Sequence, residues 1–173
     1  MGKRSSFERR PRDFYPTPEA AVLPLLPHLK PGTRFCEPCA GDGALVKILQ
    51  QGGHECVWAS DIAPRGHGIF TADALSLLVD PGDCYITNPP WDRRILHPLI
   101  EYLGPRAPMW LLFDADWAHT KQAAPFLHRV HRIISVGRVK WIPDSPFTGK
   151  DNCCWYYFRP ERTASSEFIG RAA

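Results

Sequence analysis

Four consecutive residues, Asn88-Pro89-Pro90-Trp91, form the pattern in this chain best suited to handling an amine. Two prolines fix the backbone and remove two N–H donors. Acceptors are left over: the Asn88 side-chain oxygen and the Pro89 carbonyl. Trp91 adds a flat apolar face. A planar group bearing an amine could donate to the acceptors and stack on the indole. A plain Pro-Pro turn beside a core tryptophan is the alternative, and it loses weight when the pattern directly follows a strand.

A second constellation is Glu37-Pro38-Cys39-Ala40-Gly41-Asp42-Gly43. It reads as a strand end, a glycine turn and a helix start. Gly41 and Gly43 would let a backbone approach a ligand that a Cβ would block. Asp61 follows 18 residues after Gly43, at the end of the next strand. A carboxylate there can accept both hydroxyls of a ribose. Val46 stands where a nicotinamide fingerprint has its third glycine, and no lysine occupies the P-loop position. A tight turn with Asp42 capping the helix is the competing reading.

These residues need elements to hold them. Thr17-Pro18-Glu19 predicts a helix start with Thr17 as cap. Strands are expected at 33–37, 54–60, near Ile69-Phe70, and at 83–87 and 109–113. Helices are expected from Ala44 to about Gln51 and from about Arg93 to Leu103, the latter with Ile95, Leu99 and Tyr102 on one face. Helical sequence follows the 109–113 strand, to about Leu127. Two last strands, 132–139 and 153–158, have no helix between them and should pair as an antiparallel hairpin at the sheet edge. Alternating strands and helices predict an α/β fold with a mostly parallel sheet covered on both faces. Ligands in such folds sit outside the carboxyl ends of the strands. Glu37, Asp61, Asp73 and Asn88 all fall there. Residues 1–13 read as a flexible basic arm, 14–160 as one domain, and 161–173 as a frayed tail.

The chain has 173 residues, 44% hydrophobic and 23% charged, an ordinary globular balance. No run reaches the ~20 apolar residues of a membrane helix. The polar, basic N-terminus predicts no export signal and a cytoplasmic protein, with its six cysteines reduced. Cys36 and Cys39 have C-x-x-C spacing but no second pair, so they read as buried thiols and no metal is expected. Net charge is +3 in residues 1–13, −5 in 14–120 and +5 in 121–173. An acidic middle between basic ends suits a cationic or polar cofactor beside a surface for polyanions, or simply a solubilising balance.

At this point the chain resembles the class I S-adenosylmethionine-dependent amino-methyltransferases with an Asn/Asp-Pro-Pro-aromatic loop. Glu37 to Gly43 resembles their cofactor loop, and Phe14-Tyr15-Pro16-Thr17-Pro18 an N-terminal motif of many DNA adenine methyltransferases. The resemblance spans roughly residues 13–158. It implies a Rossmann-like three-layer fold and S-adenosylmethionine as cofactor. Cofactor contacts would come from Tyr15, Thr17, Glu37, Pro38, Ala40, Gly41, Gly43, Asp61, Ile62, Asp73, Ala74 and Asn88. Asn88, Pro89, Pro90 and Trp91 would carry the reaction on an adenine amine.

One departure is the lack of room for a separate target-recognition domain. Small phage and prophage methyltransferases share this compact form. Contacts to nucleic acid, DNA in the leading reading, would fall to Arg93, Arg94, Lys140, Lys150 and the basic arm, with loose sequence specificity or a partner chain supplying it. RNA bases or a protein glutamine are alternative targets for the same chemistry. A non-catalytic, nucleic-acid-binding methyltransferase fold is the third reading.

Overall fold

A computed structural model describes residues 14–142, 146 and 148–171. The basic arm expected at 1–13 lies outside the described residues. Eight strands form one sheet: β1 (Arg34–Glu37), β2 (Glu55–Asp61), β3 (Phe70–Thr71), β4 (Cys84–Thr87), β5 (Met109–Asp114), β6 (Val130–Gly137), β7 (Cys153–Phe158) and β8 (Glu167–Ile169). Their order is β3-β2-β1-β4-β5-β7-β6-β8. The first five pair in parallel, β7 runs antiparallel to both β5 and β6, and β8 is parallel to β6. The helices are α1 (Glu19–Val22), α2 (Ala44–Gln51), α3 (Arg93–Leu103) and α4 (Ala124–Leu127).

Period-two alternation explains the three layers. Tyr85, Met109, Leu111, Phe113, Tyr156 and Phe158 point to one core, under α3. Cys84, Ile86, Trp110, Leu112 and Trp155 point to the other, under α1 and α2. Both faces are buried, so these strands read as continuous apolar runs. The Trp155 indole N–H donates to the Ala21 carbonyl at 2.7 Å, which pins α1 to the sheet. Asp92 caps α3 by accepting from the Arg94 N–H at 2.9 Å.

Four expectations change. The hairpin of β6 and β7 is antiparallel, but it is not at the edge. Strand β7 inserts between β5 and β6, and β8 covers the far side of β6. The segment expected to fray supplies that strand, held by an Arg132–Glu167 ion pair at 2.6 Å. Helix α3 buries Leu96, Leu99, Ile100 and Leu103, while Ile95 is exposed. Finally, the stretch after β5 is not one helix. A 3₁₀ segment (Ala115–His119) ends where the Thr120 N–H and hydroxyl both bond the Trp117 carbonyl, and only the short α4 follows. No helix among the described residues is long and apolar enough to cross a membrane.

Candidate active site

The carboxyl ends of β1, β2, β4 and β5 open into one cleft of about 1870 Å³. That exceeds the usual volume of a small-ligand pocket, roughly 300–1,000 Å³. A cofactor and a second planar group both have room. Described residues on its wall include Tyr15, Thr17, Glu37, Pro38, Ala40 and Gly41, then Asp61, Ile62, Asp73 and Ala74. Asn88, Pro89, Pro90 and Trp91 follow, with Arg93, Arg94 and Lys150 at the rim. Gly43 and Lys140 are not on that wall.

The glycine turn is built by its neighbours. Gly41 has φ +56° and Gly43 φ +83°, a region glycine enters freely. The Gly41 N–H donates to Asp61 Oδ2 at 2.9 Å, and its carbonyl accepts from the Arg65 N–H at 2.8 Å. Asp61 Oδ1 also accepts from the Ala63 N–H at 2.8 Å. The Phe14 ring covers Gly41 so closely that an added Cβ would sit 2.7 Å from it. The Arg65 guanidinium lies 3.9 Å from the centre of that ring. Asp42 Oδ1 accepts from the Ala44 N–H at 3.1 Å, so the turn also starts α2. Asp73 is exposed and accepts from the Leu75 N–H at 2.9 Å.

Each Asp61 oxygen therefore holds one backbone N–H and keeps lone pairs toward the cleft. The sequence resemblance implies that Asp61→Ala weakens S-adenosylmethionine binding by about 1.5–3 kcal/mol, through lost hydroxyl acceptors and a loosened glycine turn. Calorimetry giving an unchanged dissociation constant would contradict the ribose role.

Glu37 is almost wholly buried, at 1% exposure. Its Oε1 accepts from the Thr87 hydroxyl at 3.1 Å, while Oε2 has no partner among the described residues. Burial pushes its pKa well up, against the pull of the Thr87 hydroxyl and the Asn88 N–H. An orphaned carboxylate oxygen on a cleft wall is a place for a cation or an N–H donor. The sulfonium and ammonium of S-adenosylmethionine fit that need, and the glycine turn and Asp61 fit its nucleoside end.

Asn88 follows β4 directly. Its Nδ2 donates to Thr17 Oγ1 at 3.2 Å, and its Oδ1 accepts from the Trp91 indole N–H at 3.2 Å. Thr17 is therefore not the cap of α1. Pro18 holds that position with no side-chain bond. The Trp91 ring meets Trp141 at right angles, with centroids 5.6 Å apart. Trp155 and Tyr156 are fully buried core residues.

At the rim, Arg94 is paired with Asp92 at 2.5 Å, and Arg93 donates to Gln122. The sequence motif includes Phe14 but does not show its place over the glycine turn, and sequence reasoning missed Arg65, which lies on that ring, and Asp114 and Asp116, which line the cleft after β5. Arg65 carries no sequence signal. Asp114 ends a parallel strand, the same signal that singled out Glu37 and Asp61. Burial raises its pKa, partly offset by the Asp116 N–H that it accepts at 3.0 Å. Among the described residues no cluster of His, Cys, Asp and Glu could hold a metal.

The architecture is the Rossmann-like α/β fold of methyltransferases. No protein-family model matches the chain. No curated protein matches it in sequence. Solved structures do match in shape. A candidate RNA methyltransferase of Pyrococcus horikoshii superposes with a TM-score of 0.68 at 16% identity, over 91% of this chain and 93% of that one. A candidate class I S-adenosylmethionine-dependent methyltransferase of Listeria monocytogenes gives 0.55 at 15% identity, over 89% and 63%. The methyltransferase subunit of a type I restriction-modification system from Streptococcus thermophilus gives 0.57 at 10%, over 90% and 47%. The chain thus spans nearly all of the first protein, under two thirds of the second and about half of the third.

Proposed function

We propose that this chain transfers a methyl group from S-adenosylmethionine to the exocyclic amine of adenine in DNA. The observation that carries the proposal is that Asn88 and Glu37, whose buried Oε2 has no partner among the described residues, line one cleft. S-adenosylmethionine supplies an electrophilic methyl group when bound. Glu37, Asp61 and the turn at Gly41 bind and orient it. An adenine amine has its lone pair delocalised into the ring. Acceptors at Asn88 Oδ1 and the Pro89 carbonyl draw the amine hydrogens out of that plane and free the lone pair. Trp91 offers the ring a stacking face, as a base taken out of a duplex requires. The amine nitrogen would take the methyl as the S–CH3 bond breaks to leave a neutral thioether, and its surplus proton would pass to water in the open cleft, so the work of these residues is positioning and charge placement. The restriction-modification neighbour is consistent with a DNA substrate.

A second reading keeps the chemistry and changes the polymer to RNA. The match over nearly the full length of the Pyrococcus RNA methyltransferase candidate favours it. Labelled cofactor incubated separately with DNA, RNA and protein pools decides between them. Label in DNA adenine is the expected result, and label only in RNA or protein would overturn the DNA assignment.

Polyanion binding should depend on which cations face the cleft. Lys150 and Arg138 line it, whereas Lys140 does not. Lys150→Ala and Arg138→Ala should weaken DNA binding on every sequence alike. Each should lower the slope of log K against log salt by roughly 0.7–0.9. Lys140→Ala should leave the slope unchanged. Salt titrations on several unrelated duplexes check this, and an unaltered slope in both cleft variants would place the DNA elsewhere.

A further inference from the structure

We propose that Trp91 also acts on the reaction through Asn88: its indole N–H fixes which end of the Asn88 amide faces the target amine. This positioning role rests on the methyl-transfer reading above. A primary amide has two nearly isosteric orientations, related by a half-turn about its last bond. Only one is useful here, because an amine needs an acceptor and the flipped amide would present a donor.

Two partners hold this amide: Thr17 Oγ1 at 3.2 Å from Nδ2, and Trp91 Nε1 at 3.2 Å from Oδ1. They are not equivalent. A hydroxyl can donate or accept, so Thr17 tolerates either orientation. An indole N–H can only donate, so Trp91 accepts one and opposes the other with two facing donors. Thr17 therefore sets where the amide sits, and Trp91 sets its sense. Thr17 is well placed for that, being buried and one residue before Pro18, which starts the helix that Trp155 pins through Ala21. The indole N–H lies in the ring plane, so this bond does not itself occupy a π face. One lone pair of Oδ1 serves Trp91, and the second remains for the amine. A phenylalanine or tyrosine at this position could stack, but could not choose the amide orientation in this way.

Steady-state methyl transfer by Trp91→Phe, Thr17→Val and Thr17→Ser tests the role. Trp91→Phe keeps a flat ring and loses the donor. Its kcat should fall about tenfold, with the acceptor KM within about threefold. Thr17→Val should lose about threefold in kcat, and Thr17→Ser should recover most of that by restoring the hydroxyl. The wild-type chain should also show a Trp91 indole N–H resonance that moves on Asn88→Ala, whatever the fate of Trp91→Phe in folding. A Trp91→Phe variant within twofold of wild-type kcat, or altered only in KM, would overturn the positioning role while Asn88→Ala still upheld the methyl-transfer reading. An unmoved indole resonance would do the same. A wild-type chain transferring no methyl group to nucleic acid or protein would overturn that reading and this role together.

Discussion

Asn88→Ala should lower the rate of methyl transfer by at least ~100-fold, with fold and cofactor affinity nearly intact. The side chain is half-buried at the end of β4 and closes no core contact. What it provides is an oriented acceptor, held by Thr17 and Trp91. Its loss leaves the Pro89 carbonyl as the remaining acceptor of the pair. Thr17 and Trp91 both line the cleft, so water there can take up the bonds they lose and the stability cost is small. Single-turnover transfer to the preferred acceptor gives the rate, and calorimetry with S-adenosylmethionine gives the affinity. Near-normal turnover would show that the Asn-Pro-Pro-Trp turn is not where the amine reacts.

Glu37→Gln should have opposite effects on stability and on cofactor binding. Burial raises the Glu37 pKa, so the folded chain holds this proton more tightly than the unfolded chain does. The stabilisation from that proton is complete below the ordinary carboxylate pKa of about 4.3. It is lost as pH rises through the raised, folded-state value. Glutamine has nearly the same shape and never ionises. The ligand-free variant should therefore melt above wild type at pH 8, with the gap closing toward pH 4. In the proposed function S-adenosylmethionine brings two cationic groups to Glu37 and needs the ionised carboxylate. Its affinity at pH 8 should fall at least about tenfold in the variant. Wild-type affinity should rise with pH, and the variant's should stay flat apart from the cofactor's own titration. Equal affinity and equal pH dependence would remove Glu37 from the cofactor site.

Much of this fold was readable because parallel strands buried on both faces advertise themselves. Met109 to Phe113 is apolar throughout, and its odd and even residues do reach different cores. The rule that ligands sit at strand carboxyl ends groups Glu37, Asp61 and Asn88, and the three do line one cleft. Other features depend on depth, which a linear pattern does not carry. Glu37 looks like any strand-end acid in sequence, and only the packing of β1 against β2 and β4 shows it sealed from water. The contact between Phe14 and Gly41 joins residues far apart in sequence and needed the fold to appear. Periodicity puts Ile95, Leu99 and Tyr102 on one face of α3, and of these Leu99 is buried and Tyr102 packs on the core. In the fold Ile95 lies on the cleft, and Leu96 and Ile100 face inward. Strand β8 escaped because it has three residues in a polar stretch, too short for any periodicity.

That short strand has a consequence for handling the protein. Without β8, β6 would end the sheet with a row of open N–H and C=O groups along Arg132, Ile133 and Ile134. An uncovered edge of this kind is a template for pairing with another chain, and natural sheets guard against it. Glu167 adds a charge to that guard. A truncation after Pro160, chosen to trim an apparent tail, would therefore invite aggregation without touching the cleft. An affinity tag is safer when a linker separates it from Ile169.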